Sequence, residues 1–128
     1  MTYCVGISLK SGLVFASDSR TNAGSDQVSQ YGKPILDRII SPDSSLEDAA
    51  RCALVSMDST MQSNVTVGPP VEMLIYEKDS LSLNRYMRLD ENHPYWSGLR
   101  SSWGNNIRSA FNDLPRFNWE SAGPPPVD

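Results

Sequence analysis

The sequence of 128 residues predicts an α+β fold in which a mostly antiparallel sheet carries helices on one face. Two strand-like stretches near the N-terminus are separated by a short turn, a pattern typical of a β-hairpin. Farther along, apolar residues recur every three to four positions, as they do in an amphipathic helix. A strand-like stretch follows that helix, and we expect the late strands to complete the sheet begun by the hairpin.

The hairpin is predicted from residues 3–9 and 13–18, which are rich in β-branched and aromatic residues, with Gly12 in the turn. Side chains alternate between the two faces of a strand. One face of the first strand is therefore expected to hold the larger residues Tyr3, Val5, Ile7 and Leu9. The other face then holds the smaller ones, Cys4, Gly6 and Ser8, together with Thr2.

The middle of the chain predicts two helices. Residues 22–30 are polar and turn-rich, and residues 31–40 predict a short helix that begins after Pro34. Ser44 and Glu47 have the spacing of a capping box, so the next helix is expected to start there. Its apolar positions continue at helical spacing to a predicted end near Ser63: Leu46, Ala49, Ala50, Ala53, Leu54, Met57 and Met61.

The last third of the chain predicts a strand over residues 71–77 and a weaker strand over 82–89 that pairs back onto it. A final helix is expected to begin at Pro94 and to end before Pro115. Its apolar face should pack in the core or against another subunit: Trp96, Leu99, Trp103, Ile107, Ala110, Phe111 and Leu114. We therefore predict one domain over residues 1–114. The segment 115–128 is then a Pro-rich C-terminal tail, disordered at least from residue 122 onward.

Composition excludes several functions. The net charge of −4 and the pI near 4.9 argue against nucleic-acid binding, which needs clustered lysine and arginine. No apolar run is long enough to span a bilayer, and no secretory signal is evident, so we expect a cytoplasmic protein. Two cysteines are too few for a disulfide scaffold or a zinc site, and we expect them to be reduced thiols. No metal and no cofactor are expected.

Several stretches of the chain resemble the proteasome-type N-terminal hydrolases, and most closely the bacterial Anbu, or ancestral β-subunit, family. The matching residues are 1–5, 12–24, 31–38, 52–64 and 76–81. The resemblance implies a four-layer αββα sandwich, the N-terminal nucleophile hydrolase fold, of which these elements form one half.

The chain also departs from that family, because the middle of the family sequence is absent across residues 25–30. The absent part includes the strand that carries the family's active-site lysine, two helices, and most of one sheet. An internal deletion, natural or engineered, would explain the gap, and so would the splicing-out of residues from a longer sequence.

Thr2 is the predicted catalytic nucleophile. If Met1 is removed, Thr2 gains a free α-amine with a pKa of about 7.7–8.0, which can serve as the base for its own hydroxyl. While Met1 remains, the nitrogen of Thr2 is an amide and cannot act as a base. The alternative interpretation is that Thr2 is an ordinary residue at the start of an edge strand.

Asp18 is the second predicted catalytic residue. A hairpin that turns around Ser11 pairs residues whose numbers sum to about 22, which places Asp18 within one or two rungs of Thr2. The resemblance implies that this aspartate holds the family's lysine and orients the threonine. The alternative is a carboxylate that caps the end of a strand. Without a cation beside it, we expect Asp18 either to stay exposed or to have its pKa raised.

The resemblance assigns substrate binding to residues just after this aspartate. Arg20, Thr21 and Gly24 follow the family's pattern, and backbone at Thr21 and Gly24 could bind an extended peptide by strand addition. The alternative is a solvated turn. Lys33 matches a later family segment, so we interpret it as a surface residue and not as the active-site lysine.

Two further groups have a more ordinary interpretation. The family supports the threonine amine with small residues after the capped helix, for which the candidates here are Asp58, Ser59, Ser63 and Thr66. Polar residues at a helix end are more often caps than catalysts. His93, the only histidine, precedes Pro94 and is expected to cap the last helix.

The resemblance implies a subunit of a self-assembling, homo-oligomeric threonine peptidase that cleaves peptide or protein substrates. The alternative is a non-catalytic assembly or interaction subunit, or an inactive truncated form, which the missing lysine favours. A third hypothesis, an amidase that uses Cys4, has less support.

Without the family's second sheet, one face of the predicted sheet would have no layer packed on it. This is either the face that holds Val5, Ile7, Val14 and Ala16 or the opposite face. We therefore expect a marginal monomer that tends to associate.

Overall fold

The computed structural model describes residues 3–18 and 29–121, with side chains described up to residue 120 and, in the second range, from residue 34 onward. These residues form one four-stranded antiparallel sheet with the strand order β1-β2-β3-β4, together with four helices. The predicted α+β class is confirmed. The elements are β1 (Cys4–Leu9), β2 (Gly12–Asp18), α1 (Ser29–Ile39), α2 (Leu46–Ser63), β3 (Val71–Glu77), β4 (Arg85–Leu89), α3 (Pro94–Asn112) and α4 (Asn118–Ser121).

The hairpin of β1 and β2 is confirmed, with a tighter turn than predicted. Leu9 pairs with Gly12, and the pairing continues to Cys4 opposite Ser17, so the residue numbers sum to 21. Gly12 has a φ of 151°, and an added Cβ would lie 2.0 Å from the carbonyl oxygen of Tyr76 on β3. Glycine is required here because a neighbouring strand passes directly over this backbone.

The late strands extend the sheet as predicted. β3 runs antiparallel to β2, with Val71 opposite Asp18, and it matches the predicted strand residue for residue. β4 pairs back onto β3 from Arg85 to Leu89, three residues shorter at its start than predicted.

The start of α2 lies one residue later than the predicted capping box. Ser45 has extended backbone angles, and its hydroxyl accepts a hydrogen bond from the backbone N–H of Asp48 at 3.0 Å. Ser44 is not the cap, because its hydroxyl accepts the N–H of Ser41 in the preceding turn. The predicted end at Ser63 is confirmed.

The prediction that the preceding helix begins after Pro34 is wrong, because α1 begins at Ser29 and contains Pro34. A proline removes the hydrogen bond to the carbonyl four residues earlier. Pro34 is the sixth residue of α1, so the bond it cannot form is the one to the carbonyl oxygen of residue 30, near the start of the helix.

The core lies on one face of the sheet. Val5, Ile7, Val14 and Ala16 are all buried there beneath α2, with Trp96 of α3 fully buried beside them. The prediction left open which face would lack a partner, and the structure shows that it is the alternate face. The predicted apolar face of α3 is buried only at its start, because the side chains of Ile107, Phe111 and Leu114 are about half exposed or more.

The segment predicted as a tail contains the short helix α4, in which Trp119 stacks on the ring of Phe117 at a centroid distance of 4.7 Å. Residues 122–128 lie outside the described part of the chain. Within the described residues, no helix has the length and hydropathy needed to cross a membrane.

Candidate active site

The side chain of Asp18 lies at the end of β2 and is only 2% exposed. One carboxylate oxygen accepts the backbone N–H of Tyr3 at 2.7 Å, and the other accepts the N–H of Gly68 at 3.2 Å. The backbone N–H of Asp18 also donates to the carbonyl oxygen of Tyr3 at 3.2 Å. The start of the chain is therefore fixed to Asp18 through both its backbone and its side chain.

Tyr3 is held from the helix side as well. Its hydroxyl and that of Ser56 on α2 lie 2.6 Å apart, and both side chains are buried. Thr60 donates to the carbonyl oxygen of Ser56 one turn farther along α2. Because a buried hydroxyl without a partner would be costly, this contact fixes the position of the first strand relative to the helix.

The loop after α2 supplies the second amide donor to Asp18. The side-chain oxygen of Asn64 accepts both the N–H and the hydroxyl of Thr66, at 2.9 and 2.6 Å, which turns the chain sharply. Val67 is buried, and Gly68 then aims its N–H at Asp18. A cis bond between Pro69 and Pro70 leads into β3.

We expected Asp18, without its family lysine, to be exposed or to have a raised pKa. The carboxylate is not exposed, and two backbone amides solvate it in place of a cation. Among the described side chains, those of residues 3–18 and 34–120, no lysine or arginine forms an ion pair with Asp18. Both oxygens of this buried carboxylate therefore have a hydrogen-bond donor, as buried polar groups in folded proteins normally do.

The other predicted site residues are not all described. Thr2, Arg20, Thr21 and Gly24 lie outside the described residues, and Lys33 lies in α1 with a side chain that is likewise outside them. The nucleophile and substrate-binding assignments therefore stay predictions. The N–H that Asp18 binds belongs to the peptide bond between Thr2 and Tyr3, so the carboxylate holds the position directly after the predicted nucleophile.

Two of the four candidates proposed to support the threonine amine, Asp58 and Thr66, have structural partners. Asp58 is buried and forms an ion pair with Arg100 of α3 at 2.7 Å. The guanidinium of Arg100 lies 5.4 Å from the ring centroid of Trp96, which adds a cation–π contact. Ser59 lines a groove of about 690 Å³ beside this pair, whereas Ser63 is an exposed residue at the end of α2.

Other polar groups of the described chain do not build a second site. His93 caps α3 as predicted, because its ring nitrogen accepts the N–H of Tyr95 at 3.2 Å. Cys4 is exposed and Cys52 is buried, and burial raises the pKa of the Cys52 thiol. No group of three histidine, cysteine, aspartate or glutamate side chains within the described ranges could hold a metal ion.

Sequence reasoning missed two contacts of this site, those of Ser56 and Gly68. Ser56 lies inside a helix whose apolar pattern gives no reason to single out one serine. Gly68 precedes two prolines, a pattern typical of a break between elements, and the donation of its N–H to a side chain fifty residues earlier leaves no local signal.

No family model and no curated protein matches the chain, but solved structures do. The Anbu protein of Yersinia bercovieri is 25% identical at a TM-score of 0.83, and the match covers 92% of this chain and 99% of that one. The helical assembly of the Anbu complex from Pseudomonas aeruginosa matches with 35% identity and a TM-score of 0.68, over 91% of this chain and 53% of that one.

An Anbu protein of Hyphomicrobium sp. strain MC1 is 30% identical at a TM-score of 0.67, over 91% of this chain and 55% of that one. The chain thus spans about half the length of the Pseudomonas and Hyphomicrobium chains and nearly all of the Yersinia chain.

The fold relates this chain to the proteasome-like β subunits. Within that class, the predicted closeness to the Anbu, or ancestral β-subunit, family is confirmed.

Proposed function

We propose that the chain is a proteasome-like subunit of a self-assembling, cytoplasmic threonine peptidase. After removal of Met1, Thr2 would attack the carbonyl carbon of a peptide bond, and its own α-amine would accept the hydroxyl proton. The observation that carries the proposal is the buried carboxylate of Asp18, which binds the amide directly after Thr2.

In this proposal Asp18 is a positioning residue. A nucleophile at a free chain end has few constraints, and it reacts efficiently only when its geometry is fixed. Asp18 and Ser56 constrain the neighbouring Tyr3 from two directions, through the main chain and through the phenol. A peptide or protein substrate would then bind in extended form along Arg20, Thr21 and Gly24.

A non-catalytic assembly subunit is the second candidate. It is favoured because the carboxylate of Asp18 is satisfied by two amides, with no ion-paired cation among the described residues. A site that needs a lysine to assist the amine would be incomplete here. The Pseudomonas relative is described as a helical assembly, which fits either candidate.

Turnover of a fluorogenic peptide by the assembled protein distinguishes the two. The proposal predicts that Thr2→Ala abolishes turnover, and that Thr2→Ser, which keeps a hydroxyl and a free amine, retains part of it. Ser109→Ala is the control, because Ser109 is an exposed residue of α3 outside the described site, so this variant should keep its activity. Equal turnover by the wild type and Thr2→Ala would favour the assembly subunit.

A further inference from the structure

We propose that the uncovered face of the sheet docks a second copy of this chain, sheet against sheet. The open face, as we name it, comprises Gly6, Phe15, Glu72, Leu74, Tyr86 and Arg88. Stacking two such faces would place a helix layer on each outside and two sheets between them. Four layers would thus be rebuilt from two chains, whether or not Thr2 is catalytic.

The open face follows from strand alternation. Val5, Val14 and Met73 are buried against the helices, so their neighbours along each strand point to the other side. Phe15 is 47% exposed there and Tyr86 is 55% exposed. A sheet face with such large apolar residues is normally covered by another layer.

The open face has a protruding ring and a recess beside it, a shape that a second sheet could pack against. Gly6 lies opposite Phe15 in the β1–β2 pairing, and the Phe15 ring lies about 3.7 Å from where a Cβ on Gly6 would be. Beside the ring is a recess of about 340 Å³, lined by Phe15, Leu74 and Tyr86 among others. Packed sheets lie roughly 10 Å apart with interdigitated side chains, so a partner's aromatic ring could fill the recess.

The charges on the open face are self-complementary. Glu72 and Arg88 face each other across β3 and β4, with the guanidinium nitrogen 3.7 Å from the carboxylate oxygen, and both are half exposed. Around a two-fold axis the same surface meets itself, so each carboxylate can face the partner's guanidinium. Arg88 also pairs with Asp90 just after β4, at 3.3 Å. A face that holds both acids and a base fits a second copy better than it fits a uniformly charged partner.

The area predicts a weak dimer. Four strands of five to seven residues, at ~4.8 Å between strands and ~3.4 Å per residue, give a planar face of roughly 400 Å² per copy. A total of about 800 Å² lies below the range of stable specific interfaces, as expected of a weak contact. We therefore expect association that depends on protein concentration, as the sequence predicted for a face without its second sheet.

Charge reversal tests the proposal by analytical ultracentrifugation over a concentration series. Glu72→Arg and Arg88→Glu each give a face with like charges, so each variant alone should dimerise roughly tenfold or more weakly than the wild type. A mixture of the two variants in equal amounts should recover the wild-type dimerisation. The exposed pair contributes little to folding, and circular dichroism verifies that both variants stay folded.

A matched control addresses another exposed apolar surface, at the end of α3. Phe111→Glu introduces a charge at a side chain that is 71% exposed, and it should leave the dimer unchanged. The proposal is overturned if the wild type stays monomeric across the series, if the mixed variants associate no better than each alone, or if Phe111→Glu is the variant that dissociates the dimer.

Discussion

The carboxylate of Asp18 shows how a charged residue can occupy the interior of a small protein. Asp18 is the last residue of β2 and lies opposite Val71 of β3. Its carboxylate accepts the N–H of Tyr3, just before β1, and the N–H of Gly68, in the loop after α2. Both oxygens accept amide hydrogens, so the buried carboxylate finds its hydrogen-bond partners within the chain. The same bonds hold the peptide that links Thr2 to Tyr3.

We expect Asp18→Ala to lower the free energy of unfolding by about 1–3 kcal/mol for each amide it leaves without a partner. Urea denaturation measures this difference. The matched control is Asp43→Ala, because Asp43 forms an exposed ion pair with Lys10, which should contribute less than about 1 kcal/mol. Equal destabilisation by the two variants would contradict the structural role of Asp18.

The two cysteines should differ in reactivity. Burial raises the pKa of the Cys52 thiol, so less of the nucleophilic thiolate forms near neutral pH, and the surrounding core blocks access. Cys4 is exposed on the open face. Mass spectrometry after brief maleimide treatment of dilute native protein should find one modification, on Cys4. Modification of Cys52 at a comparable rate would mean that α2 is not packed as described.

At the scale of single elements, the sequence predicted helices and strands well and their first residues less well. Ser44 and Ser45 both precede an acidic residue by three positions, so the capping pattern fits either frame. The choice is made by the preceding turn, in which Ser44 already accepts the N–H of Ser41. That turn depends on where the chain enters from α1, which local patterns do not contain.

Ser45→Ala should therefore destabilise the protein by about 1 kcal/mol through loss of the α2 cap. Ser44→Ala removes only a bond within an exposed turn and should have a smaller effect. Thermal denaturation of both variants makes the comparison. A larger effect at Ser44 would support Ser44 as the cap of α2, which is the position that the sequence predicted.

Glycines at two positions should respond to alanine in opposite directions. Gly12→Ala places a Cβ 2.0 Å from the Tyr76 carbonyl oxygen at a φ that disfavours side chains, so β2 and β3 must separate. Gly104→Ala meets open space inside α3 and should stabilise the protein by up to about 1 kcal/mol. A tolerated Gly12→Ala, measured by the same denaturation, would contradict the β2–β3 pairing.

At the scale of the whole molecule, the sequence predicted a sheet packed against helices, but not which face of the sheet is covered or how much of α3 is buried. Alternation in β1 and β2 separated two faces, yet only the packing of α2 showed that the face of Val5 and Val14 is the covered one. The apolar spacing of α3 continues past Trp103, whereas the core ends near Leu99. Periodicity identifies an amphipathic helix, but it cannot show how far a neighbouring layer extends.

The candidate site could be predicted only in part, because some of its contacts join residues that are far apart in the sequence. The turn around Ser11 predicted that Asp18 lies within one or two rungs of Thr2; the described contact is with the next residue, Tyr3. The amide of Gly68 and the hydroxyl of Ser56 come from segments about fifty residues away, and they meet Asp18 and Tyr3 only once the sheet and α2 have packed.

The proposed function depends most directly on whether Thr2 carries a free amine and reacts through it. Intact-mass spectrometry after treatment with a peptide epoxyketone tests both points, because that reagent closes a ring on the hydroxyl and the amine of an N-terminal threonine. We expect a protein that lacks Met1 and carries one adduct, and no adduct on Thr2→Ala. A protein that retains Met1 and gains no adduct would contradict the peptidase proposal.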